Sequence, residues 1–110
     1  MTGVEYQGLA ARTMNPKLNN SQWTNHALLG MASEAGEICG LYQKAYQGHP
    51  VDKEHAMKEL GDLMWFIAEW CTANNVSLDE IMQLNIDKLR ARYPDGFSEQ
   101  MSLHRRDGDV

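Results

Sequence analysis

Two pairs of carboxylates have the type and spacing of metal ligands. Glu34 and Glu37 are three residues apart, and so are Glu59 and Asp62. At about 100° per residue, the two members of each pair lie on one stripe of an α-helix. In both segments this stripe adjoins the apolar face that would pack in a core. The four carboxylates are therefore expected at the edge of a core, where negative charge needs a partner.

The two pairs also occupy matching positions about one turn. Glu37 and Glu59 lie equally far along the chain from Gly48, and Glu34 and Asp62 do as well. The short connection after Gly48, which also contains a proline, predicts an antiparallel helical hairpin. In such a hairpin the two pairs face each other at one height.

A shared site for four carboxylates favours a bound cation, because like charges in a low-dielectric site raise one another's pKa. Ligation by oxygen alone favours Mg²⁺, with Mn²⁺ as a possible substitute, over Zn²⁺. The alternative is that all four are solvated charges on helix surfaces. However, no Lys or Arg follows any of them by four residues to form a routine helical ion pair. A di-iron bundle would need Glu-x-x-His motifs, which the sequence lacks.

A later helical segment carries a polar stripe of opposite sign. Asn85, Lys88 and Arg92 lie together beside an apolar face. Cations that face an acidic metal site would suit a polyphosphate, and Lys44, on the carboxylate side of its helix, could join them. The alternative is a solvated basic helix end that is favoured by the helix dipole.

One aromatic side chain shares the stripe of the first carboxylate pair. Trp23 lies about three turns before Glu34, with His26 close to it. A nucleobase could stack there. An exposed Trp near the start of a helix is at least as often an oligomer contact.

The elements that must position these residues are predicted to be helices. Apolar residues recur at helical spacing, and Gly and Pro interrupt the pattern at few places. We expect an all-α protein with helices at about 4–14, 21–47, 52–74 and 77–93. Ser21, Asp52 and Ser77 are the expected N-caps. The tail, residues 98–110, is expected to be poorly ordered or to pack on another subunit.

Length and composition limit the class of protein. The 110 residues suit a single domain, 1–110, and the net charge of −5 argues against binding to nucleic acid. No apolar run is long enough for a membrane span and no signal peptide is evident, so we expect a cytoplasmic protein without a membrane partner. Cys39 and Cys71 are expected to be reduced core residues. A small helical chain with surplus apolar faces favours a homo-oligomer.

Four short stretches carry a family resemblance. They are E-A-G-E at 34–37, K-E-L-G-D-L at 58–63, N-I-D-K-L at 85–89 and R-Y-P-D-G-F at 92–97. They resemble the MazG-like nucleoside triphosphate pyrophosphohydrolases of the all-α NTP pyrophosphatase superfamily, which also includes dimeric dUTPases and phosphoribosyl-ATP pyrophosphohydrolases. The resemblance covers about residues 20–97. It implies a MazG-like bundle of four to five helices whose hairpin core is completed by oligomerisation, as a dimer or a dimer of dimers.

The resemblance also implies an activity. The expected reaction is the hydrolysis of a nucleoside or deoxynucleoside triphosphate between the α and β phosphates, which gives the monophosphate and pyrophosphate and would sanitise the nucleotide pool. The implied Mg²⁺ ligands are Glu34, Glu37, Glu59 and Asp62, with Glu34 or Glu37 acting on the attacking water. The implied triphosphate contacts are Asn85, Lys88, Arg92 and Tyr93. Two alternatives stay open: a sibling enzyme restricted to dUTP or phosphoribosyl-ATP, and a helical interaction module without activity.

Overall fold

The computed structural model describes the whole chain, Met1–Val110, as helices joined by short connections. The helices are α1 (Gly3–Ala11), α2 (Asn20–Ala45), α3 (Lys53–Ala73), α4 (Leu78–Arg92) and α5 (Glu99–Leu103). The all-α class and the four predicted helices are confirmed. None of the helices combines the length and the apolar character that crossing a bilayer requires.

Local capping explains where the long helices begin. Asp52 caps α3 as predicted, and its Oδ1 accepts a hydrogen bond from the backbone N of Glu54 at 3.0 Å. The prediction of Ser21 as the cap of α2 is wrong, since the cap is Asn19. Asn19 has a glutamine three residues later, and the two side chains exchange hydrogen bonds with each other's backbone N–H in a capping box. Ser21 has no such partner, because Thr24 follows it at that spacing.

The chain divides into two compact units, Met1–Leu78 and Asp79–Val110. In the first unit α3 packs against both α1 and α2. Most of the buried side chains of this unit are small, and one is charged: Ala10, Met14, Ala27, Ala56, Ala68, Glu69, Cys71 and Ala73. Small side chains let helix axes approach closely. Cys71 is buried as expected, but Cys39 is exposed in this chain, so its assignment to the core is wrong.

Two contacts define how α2 and α3 pack. A Cβ atom on Gly30 would overlap the ring of Phe66, so only glycine permits this approach of the two helices. One turn further from the connection, both carboxylate oxygens of Glu69 lie 2.8–2.9 Å from Nδ1 of His26. Gly30 and Phe66 are equally far along the chain from Gly48, which has a φ of 93°. This register confirms the predicted antiparallel hairpin.

Helix α1 is attached to the rest of this unit through the side chains of Gln7 and Tyr6. The amide of Gln7 accepts a hydrogen bond from the backbone N of Leu78 at 2.7 Å and donates to the carbonyl of Val76 at 2.9 Å. One residue earlier, the Tyr6 hydroxyl donates to the Gly61 carbonyl at 3.5 Å. Helix α1 thus brings a tyrosine close to the segment of α3 that contains Asp62.

The second unit contains α4 and α5. A turn through Gly96, which has a φ of 89°, connects α4 to α5, and Ser98 caps α5. The tail 98–110, expected to be poorly ordered or to contact another subunit, includes α5 and then returns to α4. There Asp109 forms an ion pair with Arg92, at distances of 2.7 and 2.8 Å.

Candidate metal centre and substrate contacts

Three of the four predicted metal ligands come together in the first unit. Glu34 on α2 and Glu59 and Asp62 on α3 each offer a carboxylate oxygen, and these oxygens lie within 4.8 Å of one another. The Gly30–Phe66 contact lies about one helical turn from this cluster on both helices. The close approach of the helices therefore holds the carboxylates together.

Two oxygens of this acidic cluster have no donor to bind when the carboxyls are ionised. In that state Oε2 of Glu34 and Oε2 of Glu59 are buried and accept no hydrogen bond. Burying a carboxylate oxygen without a partner is costly, and most buried polar atoms in proteins are paired. A hard divalent cation would satisfy both atoms, because such ions take oxygen ligands from carboxylates. The donor set thus fits Mg²⁺ or Mn²⁺.

The crowding also appears in the titration of the carboxylates. A hydrogen bond with Glu59, partial burial and the negative charges of Glu37, Glu59 and Asp62 together raise the pKa of Glu34 to about 7. The pKa of Glu37 is also raised, mainly by its hydrogen bond with Glu59. The pKa of Glu59 is lowered, since it accepts hydrogen bonds from Glu34 and Glu37 and also from His55. A proton is therefore shared within the cluster near neutral pH when no cation is bound.

Glu37 lies beside the three-carboxylate cluster but is not a member of it. Its pKa shift comes mainly from Glu59, so the two side chains are neighbours. Its residue is exposed, whereas Glu34 and Glu59 are partly buried. Asp62 is exposed as well, so Glu37 differs from all three of the others only in lying outside the set of oxygens within 4.8 Å of one another.

Two residues near the cluster were missed by the sequence reasoning. His55 lies one turn before Glu59 on α3, with Nε2 3.1 Å from Oε1 of that glutamate. Its i, i+4 spacing to a candidate ligand was a usable signal. Tyr6 had no such signal, because it comes from α1. Burial and the charge of Asp62 raise the pKa of the Tyr6 phenol.

The predicted base contacts are already engaged within the first unit. His26 is half exposed, and its Nδ1 faces the buried carboxylate of Glu69, so only Nε2 is left for a ligand. The Trp23 indole N–H donates to the Asn15 carbonyl at 2.8 Å. Lys44 is exposed in the last turn of α2.

Apart from Lys44 on α2, the predicted phosphate contacts lie on or directly after α4. Asn85 and Lys88 are exposed. The guanidinium of Arg92 lies 5.9 Å from the centroid of the Tyr93 ring and forms the bidentate ion pair with Asp109. In that pair the side chains are only 10% and 14% exposed. Arg92 is thus engaged by the tail, which was not predicted.

A cavity of about 400 Å³ borders this ion pair. Its lining includes Lys88, Arg92 and Arg106 together with Asp107 and Asp109. The second unit therefore offers space for an anion beside three cationic side chains. Two acidic side chains line the same cavity.

Comparison with known proteins identifies the family. The model of the MazG nucleotide pyrophosphohydrolase domain matches residues 22–97, which include all four carboxylates and the α4 stripe. The chain belongs to the MazG family. A relative is the "Gene 37 protein" of Mycobacterium phage L5, which is 29% identical over 73 residues. That alignment covers 62% of this MazG-family chain and 64% of the phage protein. No solved structure matches the chain.

The raised pKa of Glu34 predicts how the stability of the metal-free protein depends on pH. Folded protein keeps a proton on Glu34 up to about pH 7, whereas the unfolded chain releases it near the ordinary value of 4.5. Stability from this group is therefore complete below the unfolded pKa and is lost as pH rises through about 7. We expect the urea midpoint, measured with EDTA, to fall across this window.

The control for this prediction is Glu34→Gln, which removes the titrating group. Its urea midpoint should change less over the same pH range, and Mg²⁺ should raise the midpoint of the wild type most above neutral pH. Parallel pH profiles for the two proteins would contradict the assignment of the shift to Glu34.

Proposed function

We propose that this protein hydrolyses nucleoside or deoxynucleoside triphosphates between the α and β phosphates, and that it depends on Mg²⁺. The products would be the monophosphate and pyrophosphate, and the role would be sanitising of the nucleotide pool. The observation that carries this proposal is the cluster of Glu34, Glu59 and Asp62, with two buried and unpartnered oxygens, inside the matched MazG domain.

The three clustered carboxylates are our candidates for holding the ion. A bound Mg²⁺, or Mn²⁺ in its place, supplies Lewis-acid polarisation of phosphoryl oxygens and offsets negative charge. Glu37 is exposed beside the cluster and outside the three-ligand set. We therefore assign to Glu37, in preference to Glu34, the role of orienting or deprotonating the attacking water. Glu34 would instead help to hold the ion through its buried Oε2.

The triphosphate would be bound by the polar side chains of α4. Lys88 and Asn85 are exposed and available, and Lys44 is a further candidate from α2. Arg92 and Tyr93 complete the proposed set. Because Asp109 already accepts from Nε and Nη2 of Arg92, a phosphate would have to replace that carboxylate to make a bidentate contact with the same two nitrogens.

The base would contact Trp23 and His26. Since Nδ1 of His26 is committed to the buried Glu69, Nε2 is the atom that would meet a base. The choice among bases depends on such contacts and not on the metal ligands, so a narrower enzyme for dUTP or phosphoribosyl-ATP is our second candidate.

We also propose a homo-oligomer, a dimer or a dimer of dimers. The buried core of the first unit consists mainly of alanines, while large apolar side chains of α2 and α3 stay exposed, such as Leu29 at 73% and Met57 at 61%. A second copy of the chain would cover such a surface. Light scattering after gel filtration should give at least twice the mass of the chain, and a monomer at micromolar concentration would contradict this proposal.

Removal of single ligands should abolish hydrolysis without unfolding the protein. We expect Asp62→Asn and Glu59→Gln to lower kcat by about 10² to 10³-fold, because each removes charge that stabilises the transition state through the ion. Pyrophosphate release from a panel of NTPs, dNTPs and phosphoribosyl-ATP, with Mg²⁺ and with EDTA, measures the loss.

The matched control is Glu54→Gln, which makes the same change on the same helix. Glu54 is exposed and pairs only with Lys58 at 3.6 Å, so its variant should retain wild-type turnover. An Asp62→Asn protein with wild-type turnover would contradict the proposed function. Folded wild-type protein that releases no pyrophosphate from any substrate would favour a helical interaction module.

Freeing Arg92 from the tail should strengthen substrate binding. Asp109→Asn removes the carboxylate that competes with phosphate, so we expect KM to fall by about 5-fold. Asp107→Asn, in the same cavity lining but without a hydrogen bond to Arg92, is the matched control and should leave KM unchanged. An unchanged or higher KM for Asp109→Asn would exclude Arg92 as a phosphate contact that Asp109 blocks.

A further inference from the structure

The two carboxylate oxygens of Glu59 have different surroundings. Oε1 lies 3.1 Å from Nε2 of His55, one turn earlier on the same face of α3. Oε2 is buried and has no hydrogen-bond partner when Glu34 and Glu37 are ionised. The histidine therefore engages one oxygen and leaves the other for a different partner.

The burial of Glu59 shows that the His55–Glu59 contact differs from a surface ion pair. The Glu59 side chain is only 15% exposed, whereas His55 is 50% exposed. At the same i, i+4 spacing, Glu54 and Lys58 form a pair in which both side chains are more than 70% exposed. Solvent-exposed pairs of that kind contribute little, but a hydrogen bond to a largely buried carboxylate restricts the orientation of its carboxyl plane.

We propose that His55 is a positioning residue for the metal centre, which donates from Nε2 to Oε1 of Glu59 and so fixes the orientation of this carboxyl group, with Oε2 left to hold a cation. This inference rests on the proposed function, because it assumes that the acidic cluster binds a divalent cation. His55 is not a member of the ligand set itself, which consists of Glu34, Glu59 and Asp62.

The physical basis is the general behaviour of metal-binding carboxylates. Such ligands are themselves hydrogen-bonded, and loss of the supporting partner typically lowers metal affinity about 10 to 100-fold. Without His55, the carboxylate of Glu59 could rotate or bind through both oxygens. The ion would then lose a preformed ligand geometry while all three carboxylates stay present.

Mn²⁺ binding by the whole chain tests this inference without reference to catalysis. Free Mn²⁺ is measured by its electron paramagnetic resonance signal as protein is titrated into the ion. We expect His55→Ala to weaken Mn²⁺ affinity about 10 to 100-fold. His55→Gln keeps an N–H donor at a similar reach, so its affinity should stay within about 3-fold of the wild type.

His49→Ala is the matched control, because His49 is exposed in the connection between α2 and α3 and has only a backbone hydrogen bond to α2. Its Mn²⁺ affinity should equal that of the wild type. Circular dichroism of the metal-free variants checks that each is folded. Because the His55 side chain is half exposed, both variants should fold, and His55→Gln alone still tests the donor.

The outcomes separate this inference from the proposed function. If His55→Ala binds Mn²⁺ as tightly as the wild type while Asp62→Asn does not bind, the metal centre stands and the role of His55 is wrong. Equal losses in His55→Ala and His55→Gln would contradict a role through hydrogen-bond donation. A wild-type protein that does not bind Mn²⁺ overturns both proposals.

Discussion

The close antiparallel packing of α2 against α3 is the constraint on which the rest of the first unit depends. Alanines line much of the buried surface, and Gly30 meets the ring of Phe66 where any larger residue would clash. Helix separation follows the size of the side chains at the contact. Because Glu34 lies about one turn from this contact, a wider separation would pull it away from Glu59 and Asp62, and the acidic cluster would not exist.

The chain treats two kinds of buried carboxylate differently. Glu69 is 1% exposed, and both of its oxygens lie within hydrogen-bond distance of Nδ1 of His26, so this carboxylate is paired inside the fold. Glu34 and Glu59 each keep a buried oxygen without any partner. A buried carboxylate that is paired within the protein is a structural element, whereas the unpaired oxygens of Glu34 and Glu59 support the proposed cation site. This contrast distinguishes the acidic cluster from the rest of the core.

In the second unit, the Asp109 carboxylate occupies the guanidinium of Arg92, to which an anionic ligand could also bind. Asp109, in the tail, forms an ion pair with Arg92. The hydrogen bond with Arg92 lowers the pKa of the Asp109 carboxyl most, and the charges of Arg105 and Lys88 lower it further. A carboxylate and a phosphate make the same bidentate contact with a guanidinium. The tail therefore occupies a position that an anionic ligand could take, and the availability of Arg92 depends on whether Asp109 stays in place.

Local sequence determined the helices and the carboxylate motif, while only the tertiary structure decided which residues meet. Caps and i, i+3 spacings are properties of neighbouring residues, so the Asp52 cap and the two acidic pairs could be predicted. At the start of α2 the prediction of Ser21 is wrong, because Asn19 and Gln22 form a capping box two residues earlier. Contacts between helices depend on rotation and separation, which spacing does not specify. For this reason the exposure of Cys39 and the exclusion of Glu37 from the three-carboxylate set emerged only from packing.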